Sequence, residues 1–134
     1  MADATVDDGG RDRPGTIAWF DLTVPDAEAV RDFYSAVVGW RSEPVDMGGH
    51  HDFNMAVGGG APPVAGICHA RGVNADLPPQ WLAYIVVEDL DASVGRCLEL
   101  GGAVVAGPKG EGSAGRYCVI QDPAGAVVAL METP

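Results

Sequence analysis

Few side chains of this 134-residue sequence are suited to chemistry, and their spacing narrows what that chemistry is. His50 and His51 are adjacent, so on a strand they project to opposite faces and cannot grip one ion together. His69 stands apart from them, near a polar stretch. Cys68, Cys97 and Cys118 are too few and too scattered for a disulfide framework or a thiolate zinc site. No His stands at a motif spacing that would activate Cys68 as a nucleophile. Arg116, in Gly115-Arg116-Tyr117, follows a Gly-rich turn; it is read as reaching an anionic ligand or, more simply, as pairing with a nearby acid. The Gly-rich stretches GGG (58 to 60) and GPKGEGSAG (107 to 115) lack the Gly-Lys-Ser/Thr ending that leads a phosphate loop into a helix. They are expected at a sheet edge, where one can serve as a lid. That leaves Asp21, a carboxylate set among strand formers in IAWFDLTV. It is read either as a general base or counter-ion for a basic ligand group, or as a solvated strand residue or a partner for a nearby arginine.

The elements that must position these groups are legible from periodicity. Ile17 to Val24 is β-branched, aromatic and near-alternating, which predicts a strand. Pro25-Asp26 breaks it and supplies a helix cap. Val30, Phe33, Tyr34, Val37 and Val38 then recur as one apolar helical stripe, and Gly39 is placed to end the helix in the left-handed conformation. Three extended pieces follow, about Trp40 to Val45, His51 to Val57 and Pro63 to His69, separated by Gly48-Gly49 and Gly58-Gly59-Gly60. Arg71 to Pro79 reads as a polar linker. The same grammar then returns. Trp81 to Val87 is a strand, Asp89 or Asp91 a cap, and Val94, Cys97 and Leu98 a helix stripe stopped by Gly101-Gly102. Ala103 to Ala106, Gly115 to Gln121 and Ala126 to Glu132 are strands, the last two joined by an Asp122-Pro123-Ala124-Gly125 turn. The chain is thus an internal repeat of roughly sixty residues. The expected divisions are a disordered tail over 1–14, a first βαβββ module over 15–70, a linker over 71–80 and a second βαβββ module over 81–134, together one domain.

Composition excludes several classes of partner. Eight basic residues against nineteen acidic ones give a formal charge of -11, so no cationic stripe for nucleic acid is expected. No apolar run approaches the roughly eighteen residues of a membrane span, and no membrane partner is expected. Residues 1–14 lack the basic start and apolar stretch of a secretory signal, which with the unpaired cysteines predicts a cytoplasmic location. Acidity is compatible with a cationic ligand as well as with plain solubility.

One such unit makes a small sheet with a helix on one face and leaves the other face to be buried or used. Two units can set their sheets side by side in an open half-barrel with a concave cleft, an α+β architecture. The segments IAWFDLTVPDAEAVRDFYSAVVGW (17 to 40), PPVAGI (62 to 67), WLAYIVVEDLDASVGRCLELGG (81 to 102) and GRYCVIQDPAGAVVALME (115 to 132) carry a family likeness. The FY…VVGW helix end and the DPAG turn are the most specific pieces. Over residues 16 to 133 the chain resembles the vicinal oxygen chelate superfamily, which includes glyoxalase I, extradiol dioxygenases, fosfomycin resistance proteins and bleomycin-binding proteins.

The resemblance implies where a metal would sit, with one His or Glu on the first and last strands of each module. Carried onto this sequence those positions are Trp19, Gly66, Leu82 and Ala129, none of which can bind a divalent ion through its side chain. No metal or other cofactor is expected on that basis. Strand alternation puts Trp19, Asp21 and Thr23, then Leu82, Tyr84 and Val86, then Val127, Ala129 and Met131, toward the cleft. The expected ligand-binding set is Trp19, Asp21, Gly66, Leu82, Tyr84, Ala129 and Met131, with Asp21 the candidate catalytic group. Trp19 and Tyr84 are read as stacking platforms or as packing residues, and Trp40 and Trp81 as structural. The expected function is binding of a small organic, antibiotic-like ligand, aromatic or cationic, as in drug sequestration. The alternative is an enzyme of this superfamily (lyase, isomerase, cyclase or dioxygenase) with non-standard site residues. The family also implies a homodimer.

Overall fold

The computed structural model describes residues 13–110 and 115–132. Most of the expected tail, residues 1–12, and part of the expected lid, residues 111–114, lie outside the described residues. The first half runs β1 (Ile17–Val24), α1 (Ala27–Val38), β2 (Arg41–Asp46), β3 (His51–Ala56) and β4 (Pro63–His69). Its strands lie in the order β2-β3-β4-β1. β1 pairs in parallel with β4, and the other neighbours are antiparallel. The second half repeats the plan with β5 (Trp81–Val86), α2 (Leu90–Glu99), β6 (Ala103–Lys109), β7 (Arg116–Gln121) and β8 (Val127–Glu132). Its order is β5-β8-β7-β6, again with one parallel pair, β5 with β8. Each half is therefore a βαβββ unit, and the fold is α+β.

Local chemistry explains these boundaries. The Asp26 carboxylate accepts from the Ala29 backbone N–H at 3.1 Å and starts α1. Gly39 ends it with φ of 79°, a left-handed turn that glycine adopts without a Cβ penalty, and its N–H donates to the Ser35 carbonyl at 3.1 Å. Asp89 repeats the cap on α2 by accepting from Ala92 at 3.1 Å. The Leu90 N–H at the start of that helix donates to Glu132 Oε2 at 2.7 Å, tying it to β8. Before β1, Gly15 and Val86 join through a 2.7 Å backbone bond, and Val86 donates to the Thr16 carbonyl at 2.8 Å. The segment 71–80 is more ordered than a polar linker need be: it carries a 3-10 turn at Gly72–Asn74 and buries Leu77.

Each half has its own core between helix and sheet. In the first, Leu22, Val24, Ala27, Phe53, Met55 and Ile67 are buried, with Val30, Tyr34, Trp40 and Trp81 packed against them. In the second, Leu90, Cys118 and Leu130 are buried beneath Ile85, Val87, Val94 and Ile120. The alternation expected for β1 places Leu22 and Val24 in the core, but Phe20 stays largely exposed. The five-residue stripe expected on α1 divides likewise. Val30 and Tyr34 pack inward, whereas Phe33, Val37 and Val38 are 56%, 62% and 53% exposed. At about 100° per residue Phe33 lies about 60° to one side of Val30, whereas Val37 and Val38 share the inward direction of Val30 and Ala27 and are exposed because they stand in the last turn of the helix.

Candidate functional site

The face of the first sheet that carries no helix collects the polar residues. Side chains alternate along a strand, so with Leu22 and Val24 in the core, Trp19, Asp21 and Thr23 point the other way. Pairing then fixes their neighbours. Asp21 lies opposite Gly66 across β1 and β4, and Asn54 of β3 lies opposite Gly66 from the other side. The register that sets Phe53 against Ile67 puts Asp52 on the same face as Cys68.

Two contacts hold the Asp21 carboxylate. The Trp19 indole N–H donates to Asp21 Oδ1 at 2.7 Å, a short charge-assisted bond between residues on one strand face. Gly66 supplies the room: a Cβ there would run into Asp21 Oδ1 and stand 3.3 Å from Trp19 Nε1. The carboxylate thus fills the volume that a side chain on the fourth strand would otherwise take. Its pKa is pushed up from 3.8 to about 6, chiefly because burial disfavours the charged form. The Trp19 hydrogen bond opposes that rise, and the nearby Asp52 carboxylate adds to it.

Asp52 is only 7% exposed and is well held. Its Oδ1 accepts from the His69 backbone N–H at 2.9 Å and lies 3.4 Å from His50 Nε2. The Cys68 thiol also bonds to it, and burial, together with the Asp21 and Asp52 charges, drives that thiol pKa far up. Such a thiol is a poor nucleophile. The His69 ring turns toward the start of α1, with Nδ1 3.5 Å from the Ala27 N–H and 3.4 Å from the Pro25 carbonyl.

The expected site residues fall into two groups. Trp19, Asp21 and Gly66 meet in the first half as described. In the second half Tyr84 pairs opposite Ala129, and Val86 opposite Met131, across β5 and β8. The Tyr84 and Tyr117 rings lie 6.2 Å apart on that face. Leu82, two residues before Tyr84, is 2% exposed and Ala129 is fully buried. Arg116 makes a two-pronged ion pair with Asp91 at 3.0 and 3.3 Å and approaches Glu132 at 3.8 Å, taking the simpler of its two expected roles. The sequence reading missed Asp52 and Asn54. Their place opposite β4 depends on the β3–β4 register, which no local pattern declares.

The residues present do not fit a divalent ion at the positions that the family resemblance implies. Trp19, Gly66, Leu82 and Ala129 offer no side-chain donor of the needed kind. Among the described residues, no three His, Cys, Asp or Glu side chains are grouped so as to hold one.

Similarity to known proteins agrees with this architecture. CFP32 of Mycobacterium bovis is 37% identical over 122 residues, covering 90% of this chain and 46% of that protein. The anthracycline biosynthesis protein DnrV of Streptomyces peucetius is 34% identical over 119 residues, covering 89% of this chain and 42% of its own. The chain spans about half the length of these curated relatives. A methylmalonyl-CoA epimerase of Streptomyces coelicolor superposes with a TM-score of 0.52 at 15% identity, over 90% of this chain and 99% of that one. At that identity the likeness is one of fold. The sequence profile of the Glyoxalase/Bleomycin resistance protein/Dioxygenase superfamily matches residues 16–130, and it is to this superfamily that the chain belongs.

Proposed function

We propose that this protein binds a small aromatic molecule bearing an amine on the helix-free face of its first half, with Asp21 as counter-ion and Trp19 beside it. The observation that carries the reading is the state of Asp21. Its carboxyl pKa is set by burial, one indole N–H and a second carboxylate, and neither of these two neighbours is cationic. Ionising it is costly until a positive charge arrives. An ammonium group within hydrogen-bond reach removes that cost and lowers the pKa again. The neighbouring Asp52 strengthens the same preference for a cation. A ring system beside Trp19 would add apolar and stacking contact, the usual complement to a few placed polar groups.

The name of the relative DnrV points to one compound class for the first test. Anthracyclines join a planar aromatic ring system to an amino sugar that is cationic at neutral pH. Titration with daunorubicin, followed by its own fluorescence, should give saturable binding. Asp21→Asn should weaken it roughly tenfold or more, the loss of about one charge-assisted contact, while leaving the uncharged aglycone within a few-fold. Equal weakening of glycoside and aglycone would refute the counter-ion role.

A second reading, an enzyme of the same superfamily, is favoured by the value near 6 at Asp21, since a general base works best with a pKa near the operating pH. Chromatography and mass analysis of the compound after prolonged incubation separate the two: a binder returns it unchanged.

A further inference from the structure

The first half carries a separate pocket on its helix-bearing side. It is an open groove of about 400 Å³ near the C-terminal end of α1, lined by Tyr34, Trp40, Ala65 and Trp81 and by the exposed Phe20, Val38 and Val64. Three of the rings pack into one corner. Tyr34 and Trp81 meet edge-on at 5.3 Å and 80°, Trp40 and Trp81 at 5.8 Å and 80°, and Tyr34 and Trp40 lie 5.8 Å apart at 31°. The Trp81 indole N–H donates to the Tyr34 hydroxyl at 2.9 Å, so these two polar groups in the wall already serve one another. No lining residue carries a formal charge at neutral pH.

We infer that this pocket is a second small-molecule site, distinct from the Asp21 face, and that it takes an uncharged, flat aromatic molecule. Its volume falls within the range of roughly 300 to 1,000 Å³ usual for ligand sites. The rings offer faces and edges for stacking, and the tryptophan–tyrosine bond fixes the corner before a ligand arrives. Charge decides the class. The lining holds no counter-ion for a cation, and a chain of net charge -11 repels an anion. The segment 1–12 makes a poor occupant, because MADATVDDGGRD is acidic and lacks aromatic residues.

The test uses N-phenyl-1-naphthylamine, which is uncharged, and its anionic relative 1-anilinonaphthalene-8-sulfonate. Both are titrated into the full chain with dye fluorescence and tryptophan quenching as readouts. The neutral dye should saturate at one per chain, and the sulfonate should bind roughly tenfold more weakly or worse. Val38→Asp, at an exposed margin position, should weaken the neutral dye roughly tenfold without lowering the melting temperature; Val38→Asn serves if the charged variant melts early. Asp21→Asn should leave dye binding unchanged, which separates this inference from the function proposed above. Equal binding of both dyes, or insensitivity to both Val38 variants, would overturn the inference. So would sedimentation revealing a dimer that Val38→Asp dissociates, because the groove would then be a contact between copies.

Discussion

Asp21→Asn should make the ligand-free protein more stable, and by an amount that depends on pH. The folded-state carboxyl has a pKa near 6 against 3.8 without its surroundings, so the folded chain holds the proton more tightly than the unfolded chain. Stability is therefore greatest below about pH 4 and falls as pH rises toward 6. Above that the penalty is complete and constant. A rise of about two pH units at about 1.4 kcal/mol each amounts to about 3 kcal/mol. Asparagine keeps an oxygen for the Trp19 N–H and nearly the same shape over Gly66, but it carries no charge. The variant should gain up to about 3 kcal/mol at pH 8, or about 10 °C in melting temperature for a domain of this size, and only a few tenths of that at pH 4. Thermal melts of both proteins from pH 4 to 8 measure the difference directly. No gain at pH 8, or an equal gain at both pH values, would refute the claim that burial of this charge is what sets its pKa.

Other outcomes follow from neighbouring features. Gly66→Ala should destabilise by about 1 to 3 kcal/mol, since the new methyl must displace the Asp21 carboxylate, and Asp21→Ala should recover much of that loss in a double-mutant cycle by denaturant unfolding. Ile67→Ala, at a fully buried position in the first core, should cost about 2 to 5 kcal/mol in urea titration. Thiol alkylation of the folded protein at pH 8, mapped by peptide mass, should reach Cys97 first, because burial raises the pKa of both Cys68 and Cys118.

Much of the fold could be read from local chemistry. The first strand, both aspartate caps and the Gly39 stop are decided by residues adjacent in sequence, and the structure has each of them where periodicity predicts it. The family likeness is shown by the match over residues 16–130. Less legible was how far burial extends. An apolar stripe declares its direction but not the extent of the surface that will meet it, and so Phe33 at its flank and Val37 and Val38 in its last turn are exposed on a helix expected to bury them. The site was legible in part for a similar reason. Asp21 and Trp19 share a strand face by simple alternation, whereas their association with Asp52 and Asn54 depends on which residues β3 and β4 bring opposite one another. The glycine at 66 stood out as a missing ligand position, but only the register shows whose carboxylate occupies the room.

The crowding between Asp21 and residue 66 has an evolutionary corollary. A His or Glu introduced at 66 would meet the Asp21 carboxylate and force it out of its present place beside Trp19, so a donor on the fourth strand and the present Trp19–Asp21 pairing compete for one volume. A lineage passing between the two either gives up the acid on the first strand first or carries both groups for a time at a cost of about 1 to 3 kcal/mol, the acid turned aside.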